Sequence, residues 1–279
     1  LSGEPELTLF DPDHWILKKV DFPKSEAAWL RQLTMDPHVL GRSDAAKALG
    51  KLGGPAAVDA LGKALLRETF WGVKADIAQA LGQIRTPAAL QFLLRAHAAE
   101  ENPKARRPIN AALGEFREAA VRERLWETLA QEKSYFAETQ ALKSLAKQGD
   151  ATVERLIDEA LGRDSWNDVL RSGALEALTL LRSPKAVDVL IRHTAYGVPH
   201  TRRMTAIRCL AQLGGGREDV LRRLTALLDD PYLLVQMSAV RALGQVGDER
   251  AVPALEKLTK GDWDGRLIRT AEETVLKLK

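Results

Sequence analysis

Leucines that close short Ala-rich runs recur at a nearly constant interval along the chain. Leu49, Leu81, Leu113, Leu145, Leu178, Leu210 and Leu243 are spaced by 32, 32, 32, 33, 32 and 33 residues, and a further 32 lead to Val275 in a truncated copy. A fixed period in the range of roughly 20–50 residues marks an architecture of stacked supersecondary units. Each copy reads as two helices. In the first, apolar residues at the anchor, four before it and three after it form one stripe, as in Ile77, Leu81 and Ile84, or Ile109, Leu113 and Phe116. A small residue precedes each anchor (Ala48, Ala80, Ala112, Ser144, Ala177, Cys209, Ala242), and Gly50, Gly82, Gly114 and Gly244 follow four of them. A helical Gly costs about 1 kcal/mol relative to Ala, so its recurrence predicts a crowded contact between neighbouring copies. The second helix has a readable start. Gly54-Pro55, Thr86-Pro87 and Ser183-Pro184 place a capping residue before a proline, and Asp150 and Asp248 offer the cap alone. Apolar stripes follow, such as Val58, Leu61 and Leu65 or Val187, Leu190 and Ile191. Two short helices cannot bury such faces alone, whereas stacking buries a continuous core. The expected fold is all-α, a right-handed α-α superhelix of about seven two-helix repeats plus a terminal helix over residues 23–279.

Composition agrees. Ala (40) and Leu (43) make up 30% of the 279 residues, against 15 aromatics, 16 Val and 8 Ile; sheets favour the scarce types. No run approaches the roughly 18 apolar residues of a membrane span. A single cysteine, Cys209, rules out a disulfide framework or cysteine metal cage and suits a reducing, cytoplasmic setting; its place in the small-residue column assigns it to packing.

The formal charge of +3 is unevenly distributed: residues 1–41 carry −3 and residues 182–223 carry +6. Within the basic stretch, Arg192, His193, Tyr196, His200, Arg202 and Arg203 surround one connector. They are the candidate anion site, for a peptide carboxylate or an acidic partner, with arginine forks as ligands; the competing reading is a solvated basic face. A second column lies seven residues before the anchors (Arg42, Lys74, Arg106, Arg171 and Arg203, with Glu138 in the series), where cations are expected to bridge to acids of adjacent copies. The six Trp are too far apart in sequence for a stacking ladder on one helix, which assigns them to packing or interfaces.

Residues 1–22 do not fit the repeat. Leu7–Phe10, Asp11-Pro12-Asp13 and Trp15–Val20 read as strand, turn and strand, a short N-terminal β remnant. A lone hairpin is marginal in water, and the chain begins with Leu1 rather than Met, so the remnant is expected to complete an upstream sheet of a longer protein. A helix capped near Ser25, bearing Trp29 and Leu33, follows.

The repeats resemble HEAT repeats of the short bacterial type. The junction, with Asp11 to Lys18 followed by Trp29, Gln32 and Leu33, resembles that between the β-sandwich and the C-terminal helical domain in bacterial members of the aminopeptidase N family of zinc metallopeptidases. The aminopeptidase-like subunit of transcription factor TFIID has a similar junction. The specific resemblance covers about 40 residues. It implies a non-catalytic solenoid that covers a catalytic cleft and gates or binds peptide, with upstream catalytic and β-sandwich domains of the same protein as partners and zinc in that upstream domain. The catalysis itself needs His-Glu-x-x-His on one helix. None of His14, His38, His97, His193 and His200 has a partner four residues away, and no nucleophile or phosphate-loop motif is present. No catalytic residue, metal ligand or cofactor site is assigned to this chain. The alternatives are a stand-alone HEAT scaffold for protein partners, then a nucleic-acid-binding solenoid, then a bilin-lyase-type protein.

Overall fold

A computed structural model describes residues 5–13, 15–17 and 22–279. The described residues form sixteen α-helices and no strand. The chain divides into two compact units, Leu1–Gln148 and Gly149–Lys279.

The first unit holds α1 (Glu26–Met35), α2 (Val39–Leu52), α3 (Pro55–Arg67), α4 (Trp71–Ile84), α5 (Pro87–Ala99), α6 (Pro103–Leu113), α7 (Ala119–Gln131) and α8 (Tyr135–Lys147). Helices α2, α4, α6 and α8 stack in sequence as one layer, while α1, α3 and α5 stack as the second. The second unit holds α9 (Glu154–Gly162), α10 (Val169–Leu181), α11 (Ala186–His193), α12 (His200–Leu213), α13 (Glu218–Ala226), α14 (Leu233–Val246), α15 (Val252–Lys260) and α16 (Gly265–Leu278). There α10, α12, α14 and α16 stack in order, and α9, α11, α13 and α15 each pack on the helix that follows.

The anchors are the core. All seven leucines are 0% exposed, each on a stacking-layer helix. The glycines beside them sit where the layer is tightest. A Cβ on Gly50 would stand 2.7 Å from Cβ of Ala80, and one on Gly82 would stand 3.0 Å from Cα of Ala112. The glycine of one repeat thus receives the small residue of the next, the crowded contact the pattern predicts.

Helix starts follow the expected chemistry with one exception. Pro55 and Pro87 open α3 and α5, and the Thr86 hydroxyl accepts from the Ala89 amide at 3.2 Å. Asp150 and Asp248 cap short 3₁₀ turns that lead into α9 and α15. Ser183 does not cap. Its hydroxyl donates to Glu154 Oε1 at 2.6 Å, and α11 begins at Ala186 instead of Pro184. A carboxylate from the preceding repeat, also held by Lys185, has outcompeted the local cap.

The expected strand pair is not formed among the described residues of this segment. Residues 5–13 and 15–17 carry no strand. The Asp11 carboxylate, in a residue with φ of 45°, accepts from the amides of Trp15 (3.0 Å) and Ile16 (3.1 Å), giving a side-chain-closed turn. No neighbouring edge within these residues takes up their backbone groups, and Trp15 and Leu17 stand exposed. His14 and residues 18–20 of the expected pair lie outside the described residues.

Candidate functional site

The basic column is half of a charge ladder. Arg42 donates through Nε to Glu68 Oε2 at 2.7 Å and through Nη2 to Oε1 at 3.1 Å. Arg106 makes the same fork with Glu132 at 2.7 and 3.0 Å, and Lys74 pairs with Glu100. Each link spans 26 residues. The acids are the residues that end α3, α5 and α7, and they also accept from amides just ahead of the next helix: Glu68 from Phe70, Glu100 from Asn102, Glu132 from Ser134. One carboxylate thus closes the turn between helices and neutralises a cation of its own repeat. Burial pushes the Glu132 carboxyl up, but Arg106 and the amides of Ser134 and Lys133 outweigh it, leaving the group below the usual carboxylate range. The acids form a column of their own, Asp36, Glu68, Glu100, Glu132 and Asp164 at 32-residue steps, with Asp230 and Asp262 beyond. The same alignment that exposes the basic column contains it; only the cationic half was read.

In the second unit the ladder changes at residues 194–199, where the acid column has no member. Arg203, 3% exposed, forks onto Asp230, with Nη1 to Oδ1 at 3.1 Å, and donates through Nε to the Thr194 carbonyl at 2.9 Å. Arg223 Nε reaches the Thr194 hydroxyl at 2.7 Å. Arg171 turns back to Asp164, at 2.7 Å, and to the Leu161 carbonyl at 3.0 Å.

Of the six candidate residues, three share one neighbourhood. Arg202 Nε stands 2.7 Å from Asp168 Oδ2, out of hydrogen-bonding alignment, so both buried atoms keep unused capacity. Burial holds Arg202 below its ordinary pKa, partly offset by Asp168. His193 is held below its ordinary value by burial and then by the charges of Arg202 and Arg192. The other three point elsewhere. Arg203 belongs to Asp230, the His200 ring lies 5.0 Å from that of Tyr232, and Tyr196 is 81% exposed. Asp168 is the member the sequence reading missed. It follows Asn167, and both occupy the left-handed region, with φ of 59° and 49°. Asn and Asp are the side-chain-bearing residues that adopt this region most readily. That conformation presents the buried Asp168 carboxylate to Arg202.

A polar cavity of about 290 Å³ opens in the first unit beside α5 and α7, lined by His97, Arg106, Arg124, Glu127, Thr128 and Glu132 among others. His97 Nε2 is 3.1 Å from the Thr128 hydroxyl, and Nδ1 has no hydrogen-bond partner. Burial pushes the imidazole down to about 4, opposed by the neighbouring Asn110 carboxamide and assisted by Arg124 and Arg106. The group is neutral at physiological pH. Among the described residues no cluster of His, Cys, Asp and Glu is placed to hold a metal ion, and no helix is long and apolar enough to cross a membrane.

The repeat family decides what this framework is. The family described as HEAT repeats matches residues 26–114, 58–146, 153–233 and 199–276. The chain belongs to the HEAT-repeat family. No curated protein matches it over its sequence. Among solved structures, the CpcE–CpcF complex of phycocyanin lyase from Nostoc sp. PCC7120 is 18% identical with a TM-score of 0.58, covering 95% of this chain and 99% of that one. A homology model of the full-length AP-3 complex in an intermediate open conformation is 14% identical with a TM-score of 0.57, covering 90% of this chain and 50% of that one. Human deoxyhypusine hydroxylase is 20% identical over 91% of this chain and 95% of its own, at a TM-score of 0.41. At these identities the likeness is one of fold. The HEAT framework here is a helical scaffold whose polar side chains mostly serve its own joints.

Proposed function

We propose that this HEAT-repeat chain works by binding polypeptide, as the non-catalytic C-terminal solenoid of an aminopeptidase-like zinc metallopeptidase. In that role it covers the catalytic cleft, restricts entry to it and holds the far end of a peptide substrate. Residues 1–22 would close the upstream β-sandwich, and residues 23–279 would form the solenoid. What supports the reading is the junction. Gln32 of the Trp-x-x-Gln-Leu pattern is buried and donates to the Gly41 carbonyl at 3.0 Å, tying α1 to α2. Lys24 pairs with the Gln32 carboxamide and lies 4.9 Å from the Trp29 ring centroid. Polar residues committed to a buried joint give the motif a structural reason to recur wherever this entry into a solenoid is used. Trp15 and Leu17, 85% and 105% exposed, are apolar surface suited to a neighbouring domain.

Zinc would be held by upstream residues, and no catalytic step involves this chain. Within the same reading, Arg192, His193 and Arg202 would receive a peptide carboxylate; Arg202 has capacity that Asp168 does not use.

The test is the full-length protein from the parent gene. It is expected to hydrolyse aminoacyl anilides in a zinc-dependent manner, and removal of residues 23–279 is expected to change KM for long peptides more than for dipeptides. A parent gene without a His-Glu-x-x-His domain would overturn the peptidase role and leave a stand-alone HEAT scaffold for protein partners.

A further inference from the structure

The starts of α4, α6 and α8 in the first unit carry something a repeat framework does not need. Phe70 and Trp71 open α4, and Tyr135 and Phe136 open α8; all four are exposed by 38–42%. Between them, α6 presents Lys104 and Arg107 one turn apart on one face. These residues are already in contact as a row. The Phe70 and Trp71 rings lie 5.7 Å apart. Lys104 Nζ is 5.8 Å from the Trp71 centroid, and the Arg107 guanidinium is 5.4 Å from that of Phe136. The row therefore runs unbroken in type, aromatic, cation, cation, aromatic, across three consecutive repeats. Its placement is built in: a Cβ on Gly72 would come within 2.6 Å of the Phe70 ring, so the glycine makes room for that ring against α4.

The electrostatics of this edge are one-sided. The cations of the ladder, Lys74 and Arg106, are neutralised by Glu100 and Glu132, but Lys104, Arg107 and the exposed Lys133 have no carboxylate partner among the described residues. The first turns of α4 and α6 contain no acid, and the carboxylates at those helix starts, Glu68 and Glu100, are committed to the turn amides and to Arg42 and Lys74. Glu101 is exposed in the link ahead of α6, and Glu138 on α8 is half-buried and already engaged. Exposed aromatic surface is expensive to leave in water, and unpaired cations beside it select for negative charge.

We propose that this row docks an extended acidic polypeptide segment, with apolar side chains laid against the aromatic pairs and carboxylates on Lys104 and Arg107. The inference rests on the polypeptide-binding reading above and names the surface and the partner chemistry. Geometry fits an extended chain: two helix-to-helix steps of about 8–10 Å each match roughly six residues at about 3.3 Å. Single-stranded nucleic acid would need open aromatic faces for base stacking. Here the two cations already lie over Trp71 and Phe136, which favours the peptide.

The experiment selects a phage-displayed library of random twelve-residue peptides on the immobilised full chain, with a Lys104→Glu/Arg107→Glu variant as the counter-target. Both substitutions are at exposed positions, so the variant is expected to keep the wild-type circular dichroism and melting temperature. Expected is enrichment of peptides rich in Asp and Glu with interspersed apolar residues. Their affinity should fall by about 10-fold or more in the variant and by a similar factor in Trp71→Ala, and should weaken as salt rises. Selected peptides that bind the charge-reversed variant equally well would overturn the row while leaving the polypeptide-binding reading in place. A selection that enriches nothing over an empty surface would overturn both. Binding of a twelve-nucleotide oligo-dT that is lost in the variant, without acidic-peptide binding, would overturn the peptide assignment in favour of nucleic acid.

Discussion

The two units solve the same packing problem with different regularity. In residues 1–148 the repeat runs at 32-residue steps, glycine follows three successive anchors, and three cation–acid links each span 26 residues. The step from Leu145 into residues 149–279 and the step from Leu210 to Leu243 lengthen to 33, and there only Gly244 keeps the glycine position, where Thr179 and Ala211 replace it. The ladder there loses the acid that Arg171 would meet, and Thr194 of the connector supplies its backbone and hydroxyl oxygens to Arg203 and Arg223. The Arg203–Asp230 link spans 27 residues instead of 26, so that pair survives the extra residue, whereas Arg171 finds Tyr196 and Gly197 where the acid would stand. The regular unit spends its charges on its own joints; the irregular one leaves Arg202 and Asp168 incompletely matched, with Asp168 in left-handed backbone, and that is where the candidate anion site lies.

The largest expected difference concerns the buried ladder members. Arg203→Ala strands the buried Asp230 carboxylate and is expected to cost about 3–5 kcal/mol in urea denaturation. Arg106→Ala should approach that figure, since the Glu132 side chain is 2% exposed. Arg171→Ala should cost less than Arg203→Ala, because its Asp164 partner is 92% exposed and the buried Asp168, 3.6 Å from Arg171, keeps Arg202 beside it. Equal losses at Arg171 and Arg203 would erase the contrast.

Acid should separate the units next. The unfolded His97 imidazole takes up a proton below its ordinary value of 6.5, the folded one only below about 4. Between those values the unfolded state holds more protons, so stability falls as pH is lowered, by about 3 kcal/mol over the window. Comparing urea midpoints of the natural chain and His97→Gln from pH 7 to 4 isolates this contribution, and parallel curves would contradict it. His193, also shifted down but half-exposed, is expected to contribute less when His193→Gln is compared in the same way.

Crowding gives a smaller effect. Gly82→Ala improves helix propensity by about 1 kcal/mol yet places a methyl 3.0 Å from the Ala112 backbone. Overpacking, at about 1–3 kcal/mol, should win, so the melting temperature should fall. The smallest change is a gain. Arg85 and Arg182 end α4 and α10 in left-handed backbone, where Gly53 and Gly247 serve elsewhere. Replacing either arginine by glycine is expected to stabilise by about 1 kcal/mol, read as a rise in melting temperature.

Much of this was open to reading in one dimension. The anchors, the small-residue column and the glycine contacts follow from spacing, because burial in a stacked repeat depends on helical phase and phase is periodic. The acid column was equally periodic and went unread. Ser183 misled because an N-cap is a local preference worth about 1 kcal/mol, and a distant Glu154 competed for the same hydroxyl. The basic stretch 182–223 looked like one patch, although its arginines divide among Asp168, Asp230, Glu176 and Thr194. The aromatic row was hidden for a related reason: Trp71, Lys104 and Phe136 are scattered in sequence and meet only at the ends of stacked helices.

By itself, the amino-acid sequence determined the repeat, its two-helix content and the identity of the buried face, since these depend on periodic positions that every copy restates. The tertiary structure alone decided which charges are neutralised, where the backbone turns left-handed and which surface is left with unpaired cations beside half-exposed rings. Those outcomes depend on distances between residues about 30 positions apart, where a shift of a single residue changes which side chains can touch.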